Sequence, residues 1–378
     1  MKVIYLSSYN IPTKNALGIQ ITQMCKAFAD KGVEVELIVP KQKDKVNLFK
    51  FYNIKANFKI KEISRPSLLW LGKIGFLAQT LLYLLKIRAY LFSQRYDFVY
   101  TREQLTGLFF KNFIYEIHNF PKKITFFHKI IFKRIFKVVA ITSFLKKDLI
   151  ENGVLSDKIL VASDAVDLNK FNIKIPQKEA RNKLNLPQDK NIIGYIGKYV
   201  TFGKGNKGVD DLIKAFPEVF IRKKDSFLLI VGVGEDNVSK VKKLLEDSRI
   251  SKEDYKIIAH LPYDKVIYSY RASDVLIMNY SKFQYHTYYT SPMKMFEYMA
   301  SKRPIVASDL PAMREVLNDG NCLFIQPDNV GSLIKGIKDI LQNKDKADRI
   351  SQQAYSDVQN YTWDKRAQNI LNFINKHE

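Results

Sequence analysis

Ser291-Pro-Met-Lys-Met-Phe-Glu-Tyr-Met-Ala-Ser-Lys-Arg-Pro-Ile-Val-Ala-Ser-Asp309 joins a helix start, an apolar helix and a β-branched strand in one short stretch. Glu297 lies among Met293, Met295, Phe296, Met299 and Ala300. A carboxylate in that company faces water, finds a partner or binds a ligand. Pro292 reads as the first helical residue, a start signal, and the amides of Met293 and Lys294 behind it have no intrahelical acceptor. Pro304-Ile-Val-Ala307 then reads as a strand. A helix followed at once by a short β-branched run is the rhythm of a parallel α/β sheet.

The same rhythm runs outward in both directions. Strands are expected at Val3 to Leu6, Val33 to Val39, Phe58 to Ile63, Phe98 to Thr101, Phe113 to Ile117, Val138 to Ile141 and Ile159 to Ala162, with a helix from about Gly18 to Lys31. After the polar, proline-punctuated stretch Asp167 to Asp189 the alternation restarts at Ile192 to Ile196. It continues at Phe227 to Val231, Lys256 to Ala259, Val275 to Met278, Ile305 to Ala307 and Cys322 to Ile325. The expected organisation is two doubly wound Rossmann-like α/β domains, 1–170 and 191–360, with a linker at 171–190. A C-terminal segment, 361–378, is expected to cross back towards the first domain, with Thr362 as N-cap and Ala367, Ile370, Leu371 and Ile374 on one helix face. A chain of 378 residues with 46% hydrophobic content supports two cores.

The formal charge is +23, from 61 Lys and Arg against 38 Asp and Glu, and the excess is concentrated in the first 170 residues. Such asymmetry calls for an anionic partner. The two cysteines, Cys25 and Cys322, have no metal-ligand spacing and suggest neither a zinc site nor a disulfide, which suits a reducing cytoplasm. The N-terminal apolar run is too short for a signal peptide. The greasiest region, Leu68 to Phe92, is broken by Lys73, Lys86 and Arg88 and is expected to lie on a membrane and not to span it. Between Lys122 and Lys147 there are eight basic residues and no acid, with Phe127, Ile131 and Ile135 reading as an apolar stripe beside Lys129, Lys133 and Lys137.

Several motifs fail. Gly232-Val-Gly-Glu-Asp-Asn237 lacks the third glycine of a dinucleotide fingerprint, and the Gly197 to Gly208 region has neither the spacing nor the Ser or Thr of a P-loop. No Asp-x-Asp pair occurs and the five histidines are scattered, so no metal and no cofactor are expected. What remains is a strand ending in Gly197-Lys198, Lys207-Gly208 opening the next helix, and the Ser291 helix start, all suited to phosphate at the carboxyl ends of strands.

These residues resemble the retaining, nucleotide-sugar-dependent glycosyltransferases of the GT-B fold, family 4 (glycosyl transferases group 1), over nearly the whole chain. The match rests on Ala140-Ile-Thr-Ser143, Ala165-Val-Asp-Leu-Asn-Lys-Phe171, Tyr195-Ile-Gly-Lys198 with Lys207-Gly208, Phe227-Leu-Leu-Ile-Val-Gly232, and above all Ser291 to Ala300 with Pro304 to Asp309. The resemblance implies two Rossmann-like domains facing a central cleft. It also implies transfer of a sugar from a nucleoside diphosphate to a glycan or lipid-linked acceptor, in cell-surface polysaccharide or glycolipid synthesis, at the inner face of the cell membrane. It gives catalytic roles to His118, Lys198, Lys207 and Glu297. Glu297 would bind the ribose hydroxyls and His118 the donor sugar, while Lys198 and Lys207 would bind the diphosphate with the amides of Met293 and Lys294. Gly18, Gly197, Ser291 and Pro292 would complete the donor site, Gly18 in a glycine loop after the first strand. Tyr289 stands where the family usually has a glutamate, Lys198 where many members have arginine, and Asp164-Ala165 where Asn-Gly is common. The expected partners are thus a nucleotide-sugar donor, a glycan or lipid-linked acceptor and an anionic membrane surface, and no nucleic acid. A nucleotide-sugar epimerase of the same architecture would want further carboxylates in the cleft. A nucleic-acid-binding protein rests on charge alone and lacks a binding module.

Overall fold

Runs of Val, Ile and Leu flanked by helical segments bury both faces of a strand only in a parallel sheet covered on both sides, and the chain forms two such sheets. A computed structural model describes residues 1–44, 46–111, 113–171, 175–201, 205–222, 226–262 and 264–376. The chain divides into two units, Met1–Asp164 with Trp363–Glu378, and Ala165–Thr362.

The first unit holds β1 (Lys2–Leu6), β2 (Glu34–Pro40), β3 (Lys59–Ile63), β4 (Phe98–Thr101), β5 (Phe113–Ile117), β6 (Lys137–Ala140) and β7 (Ile159–Val161). Their order is β3-β2-β1-β4-β5-β6-β7, and every pairing is parallel. The order reverses direction between β1 and β4, where Val3 pairs with Phe98. Helix Ala16–Asp30 follows β1, and the C-terminal helix Trp363–Asn375 belongs to the same unit. The latter buries Ala367, Ile370, Leu371 and Ile374, together with Arg366, and Lys31 pairs with Asp364 at 2.8 Å.

The second unit holds β8 (Asn191–Ile196), a small antiparallel hairpin of β9 (Val200–Thr201) and β10 (Gly205–Asn206), then β11 (Ser226–Val231), β12 (Tyr255–Ile258), β13 (Val275–Met278), β14 (Ile305–Ser308) and β15 (Leu323–Ile325). Its main sheet runs β12-β11-β8-β13-β14-β15, again all parallel, with the reversal between β8 and β13. Alternating residues feed two cores: Ile192, Ile196 and Leu229 on one face, Ile193, Tyr195 and Leu228 on the other. The β8–β13 ladder pairs only Val275 with Ile193 and Leu276 with Gly194. Beyond it the Tyr298 hydroxyl takes over, accepting from Ile196 N and donating to Ile196 O, both at 3.0 Å.

Three expectations change. The units divide at 164/165, and the segment expected as a linker is packed into the second unit. Its helix Gln177–Lys183 buries Ala180 and sends Arg181 to Asp274 at 2.6 Å, while Phe171, Leu184 and Leu186 join the core. Pro292 is the N-cap of helix Met293–Ala300 and not its first residue, with extended backbone at ψ 127°. The basic stripe is interrupted: helix Phe126–Arg134 ends before Ile135, which is buried, and Lys137 is a buried residue of β6 over the Phe373 ring.

Candidate active site

In a doubly wound sheet the strands on either side of the reversal send their connections to opposite faces, which opens a crevice at their carboxyl ends. In the second unit that crevice lies beyond β8 and β13. Gly197 follows β8 at φ +153° and Lys198 comes next, exposed, its amine pKa lowered by desolvation. Lys207 is brought alongside by Gly208, which sits at φ +87° with its backbone against Asn279 at the end of β13. A Cβ at Gly208 would run into the Asn279 carbonyl oxygen, and Asn279 Nδ2 donates to Gly208 O at 2.8 Å. Only glycine permits both the left-handed turn and this approach.

Helix Met293–Ala300 points its N-terminus into the same region, with Ser291 and Met293 buried. The first-turn amides of Met293 and Lys294 lack an acceptor one turn back, as at any helix start. The side chain of Lys294 turns inward. Its Nζ is buried without a hydrogen-bond partner, 4.3 Å from the Tyr195 ring centroid, 4.7 Å from Tyr280 and 5.8 Å from Tyr298. Lys207 Nζ lies 5.8 Å from the same Tyr280 ring. Cation–π contacts of this kind contribute about 0.5–2 kcal/mol each, whereas desolvating an ammonium costs several. The balance is visible in the titration: desolvation, then the charge of Lys207, holds Lys294 well below the ordinary lysine range, against the pull of Glu297. Desolvation and Lys198 bring Lys207 down to about 8. A buried lysine, Lys294, and a half-buried one, Lys207, both facing tyrosine rings, form an environment that an anion would stabilise.

Glu297 is buried, and its Oε2 accepts from the Tyr270 hydroxyl at 2.6 Å. Of the three fates open to a carboxylate on an apolar helix, it has a partner, one that orients it without neutralising it. Before the helix, Tyr285–Tyr289 forms a π-helical turn in which His286 stacks on Tyr280 at 4.7 Å. Desolvation and then Lys207 hold His286 down to about 4, so it is neutral.

The other two expected residues, His118 and Gly18, lie in the first unit. Gly18 is in the first turn of helix Ala16–Asp30 and not in a loop; a Cβ there would run into the Tyr52 hydroxyl, which is fastened to Thr13 O at 2.8 Å. His118 follows β5, and its Nε2 meets Glu116 Oε1 at 2.6 Å. Glu116 is fully enclosed and also receives the Gln20 amide, the Tyr100 hydroxyl and Arg366 Nη1. Desolvation of Glu116 is outweighed by Arg366 and His118, so its carboxyl stays well below the usual range, while desolvation and Arg102 hold His118 to about 4. A neutral His118 that donates Nε2–H to Glu116 keeps its Nδ1 lone pair as an acceptor. Arg102 reaches Gln20 Oε1 at 3.3 Å. Ligand atoms of Glu116, His118 and Asp164 lie within 4.8 Å of one another, but Arg366 at 3.2 Å from Glu116 and Arg102 nearby make this a poor place for a metal cation.

The structure therefore brings Gly197, Lys198, Lys207, Ser291, Pro292, Met293, Lys294 and Glu297 to one end of the second sheet, and His118 and Gly18 to the corresponding end of the first. Sequence reasoning missed the Lys294 side chain, its tyrosine surround and the Glu116–Arg366 pair. The signals were Tyr195 and Tyr298, both inside the motifs quoted above.

A family model described as glycosyl transferases group 1 matches residues 176–357, and one described as glycosyltransferase family 4 matches 17–170. An uncharacterized glycosyltransferase of Methanocaldococcus jannaschii is 24% identical over 257 residues, which is 65% of this chain; the match spans 61% of that relative's length. Among solved structures, a glycosyltransferase from Rickettsia africae superposes with a TM-score of 0.77 at 19% identity, covering 100% of this chain and 99% of that one. Sucrose-phosphate synthase from Thermosynechococcus elongatus gives 0.79 at 16%, covering 98% and 97%. Anabaena HepE, solved in complex with UDP and glucose, gives 0.75 at 15%, covering 100% of both chains.

Proposed function

We propose, from the premise that this chain belongs to the group 1 glycosyltransferases of GT-B fold, that it transfers a sugar from a nucleoside diphosphate to a hydroxyl acceptor with retention at the anomeric carbon. The observation that carries the reading is a pair of lysines, half-buried Lys207 and buried Lys294, beside a helix N-terminus and the oriented carboxylate of Glu297. As the anomeric C–O bond breaks, negative charge grows on the departing diphosphate. Fixed cations and helix-start amides oppose that charge without reorganising. Lys198, at the exposed rim, adds a third positive charge. Glu297 accepts from the ribose hydroxyls, and the tyrosine rings exclude water from the phosphate. The new bond forms on the face the diphosphate leaves, and the acceptor's proton passes to the departing phosphate oxygen. His118, neutral with Nδ1 as acceptor, receives a hydroxyl of the donor sugar. No metal takes part, because lysines supply the charge that a divalent ion would.

UDP is the first nucleotide to try, since HepE was solved with it. The test is a screen of purified protein against UDP-, GDP- and ADP-sugars for donor hydrolysis and thermal stabilisation, with and without EDTA. One nucleotide should stabilise the protein and its sugar should be slowly hydrolysed, unaffected by chelation. No response to any of them contradicts the reading, and inhibition by EDTA reversed by magnesium or manganese contradicts its metal-free part.

A further inference from the structure

Helix Gly72–Leu91 in the first unit is apolar on both its packed and its outer face. Its packed face carries Gln79, Thr80 and Tyr83 beside Leu84, Ile87 and Leu91. These polar groups are satisfied internally: Gln79 Oε1 accepts from Leu68 N at 3.2 Å, Thr80 donates to Phe76 O at 2.8 Å, and Tyr83 donates to Ser7 O at 3.3 Å. The outer face carries Ile74, Phe76, Leu77, Leu82 and Leu85. At its two ends Trp70 is 79% exposed and Phe92 91%, with Ile74 at 77% between them. Single exposed apolar residues are ordinary, but a continuous apolar ridge of this kind marks a docking surface.

A basic helix stands next to it. Arg88 from the first helix donates to Phe109 O, and Arg134 from helix Phe126–Arg134 donates to Leu108 O at 3.4 Å, so both flank the same short turn, Gln104–Leu108. The crossovers from β3 through β7 all progress in one direction across the sheet, and right-handed crossovers then lie on one face. That second helix exposes Phe126 and Phe127 at its start, with Lys122, Lys123, Lys129 and Lys133 around them. No acidic residue occurs from 63 to 96, and from 104 to 147 the sole one is Glu116, which is buried.

We propose that the Leu69–Leu91 segment and helix Phe126–Arg134 together dock this unit on an anionic lipid bilayer, the first inserting its apolar ridge and the second supplying the lysines. The Leu69–Leu91 stretch is long and apolar enough to cross a membrane, but Tyr83, Leu84 and Ile87 are fully buried within the unit, so it lies along the interface. Trp and Phe at the ends of the ridge suit the headgroup boundary, and each lysine near an anionic leaflet strengthens partitioning about fivefold. The charge selects lipid over a second copy of the same basic face, which would repel it. Docking stands on this surface alone. Its consequence, that the acceptor is carried on a membrane lipid, rests on the transfer reading.

The test is co-sedimentation of the full chain with vesicles of zwitterionic lipid alone or mixed with anionic phospholipid, read together with tryptophan emission. Of the two tryptophans, Trp363 is buried and Trp70 exposed, so insertion should shift Trp70 emission to the blue. Binding should favour anionic vesicles and weaken with salt. Replacing Lys122, Lys123, Lys129 and Lys133 by Glu should remove the preference for anionic lipid, and Ile74→Ser with Leu77→Ser should cut binding at least tenfold. All six positions are exposed, so these variants should fold, and nucleotide binding to the second unit should be unchanged in both. Absence of binding to anionic vesicles, or binding indifferent to both variants, overturns the proposal. So does a concentration-dependent dimer that the Ile74/Leu77 variant abolishes, which would assign the ridge to self-association.

Discussion

The two sheets repeat one plan, and the ends of their central strands are furnished in opposite ways. In the first unit the buried carboxylate near the β1/β4 crevice is answered: Glu116 receives Arg366, His118, Gln20 and Tyr100. In the second, Lys207 and Lys294 face tyrosine rings, and the carboxylate of Glu297 is turned to Tyr270. A balanced network holds a side chain in place. An unbalanced one costs stability until an anion arrives, and that cost identifies where the ligand belongs.

The largest test of the contrast is Arg366→Ala. Removing one partner of a buried pair leaves Glu116 charged and enclosed, and should cost about 3–5 kcal/mol of unfolding free energy, measured by denaturant titration. A loss below 1 kcal/mol would mean the first network is not balanced as described. Next is Glu297→Ala, which removes charge-assisted hydrogen bonds of about 1.5–3 kcal/mol and should weaken nucleotide binding roughly ten- to hundredfold by calorimetry. Unchanged affinity in the folded variant would return Glu297 to a structural role.

Lys294→Met should behave oppositely to Arg366→Ala. It relieves an unpartnered buried amine, so the ligand-free protein should gain about 1–3 kcal/mol while donor binding falls. A variant that is both less stable and fully active would break the comparison. The smallest effect is in pH. Lys207 titrates at about 8 in the native protein against about 10.4 when unfolded. Between those values the unfolded chain binds more protons, so this residue makes ligand-free stability rise with pH. Donor affinity should fall over the same window as the lysine loses its charge, and an affinity flat from pH 7 to 9.5 would contradict that assignment.

The central strands of the two large sheets were legible because they are apolar runs covered on both faces, while edge strand β3, Lys-Ile-Lys-Glu-Ile, was legible only from its place in the alternation. The hairpin of β9 and β10 was not, since two-residue strands carry no period. The C-terminal helix was legible from Ala367, Ile370, Leu371 and Ile374, yet Arg366 between them reads as a solvent residue. Its inward turn depends on Glu116, 250 residues away. Lys294 was read for its backbone amide because lysine side chains ordinarily reach water. Its burial is a product of tyrosines supplied by three separate elements. The membrane stripe failed for a related reason: helical spacing was continued through Ile135 and Lys137 into what is strand.

The central claim is that the second unit's uncompensated lysines receive the donor's diphosphate. It is tested most directly by calorimetry of UDP, GDP and ADP binding at pH 8 in buffers of different ionisation enthalpy, which counts protons exchanged on binding. The account predicts net proton uptake for the nucleotide that binds, as the trianionic diphosphate draws Lys207, which titrates at about 8, into its charged form, and loss of that uptake in the Lys207→Met, Lys294→Met protein. Binding without proton uptake, and of equal strength in the doubly substituted protein, would contradict it.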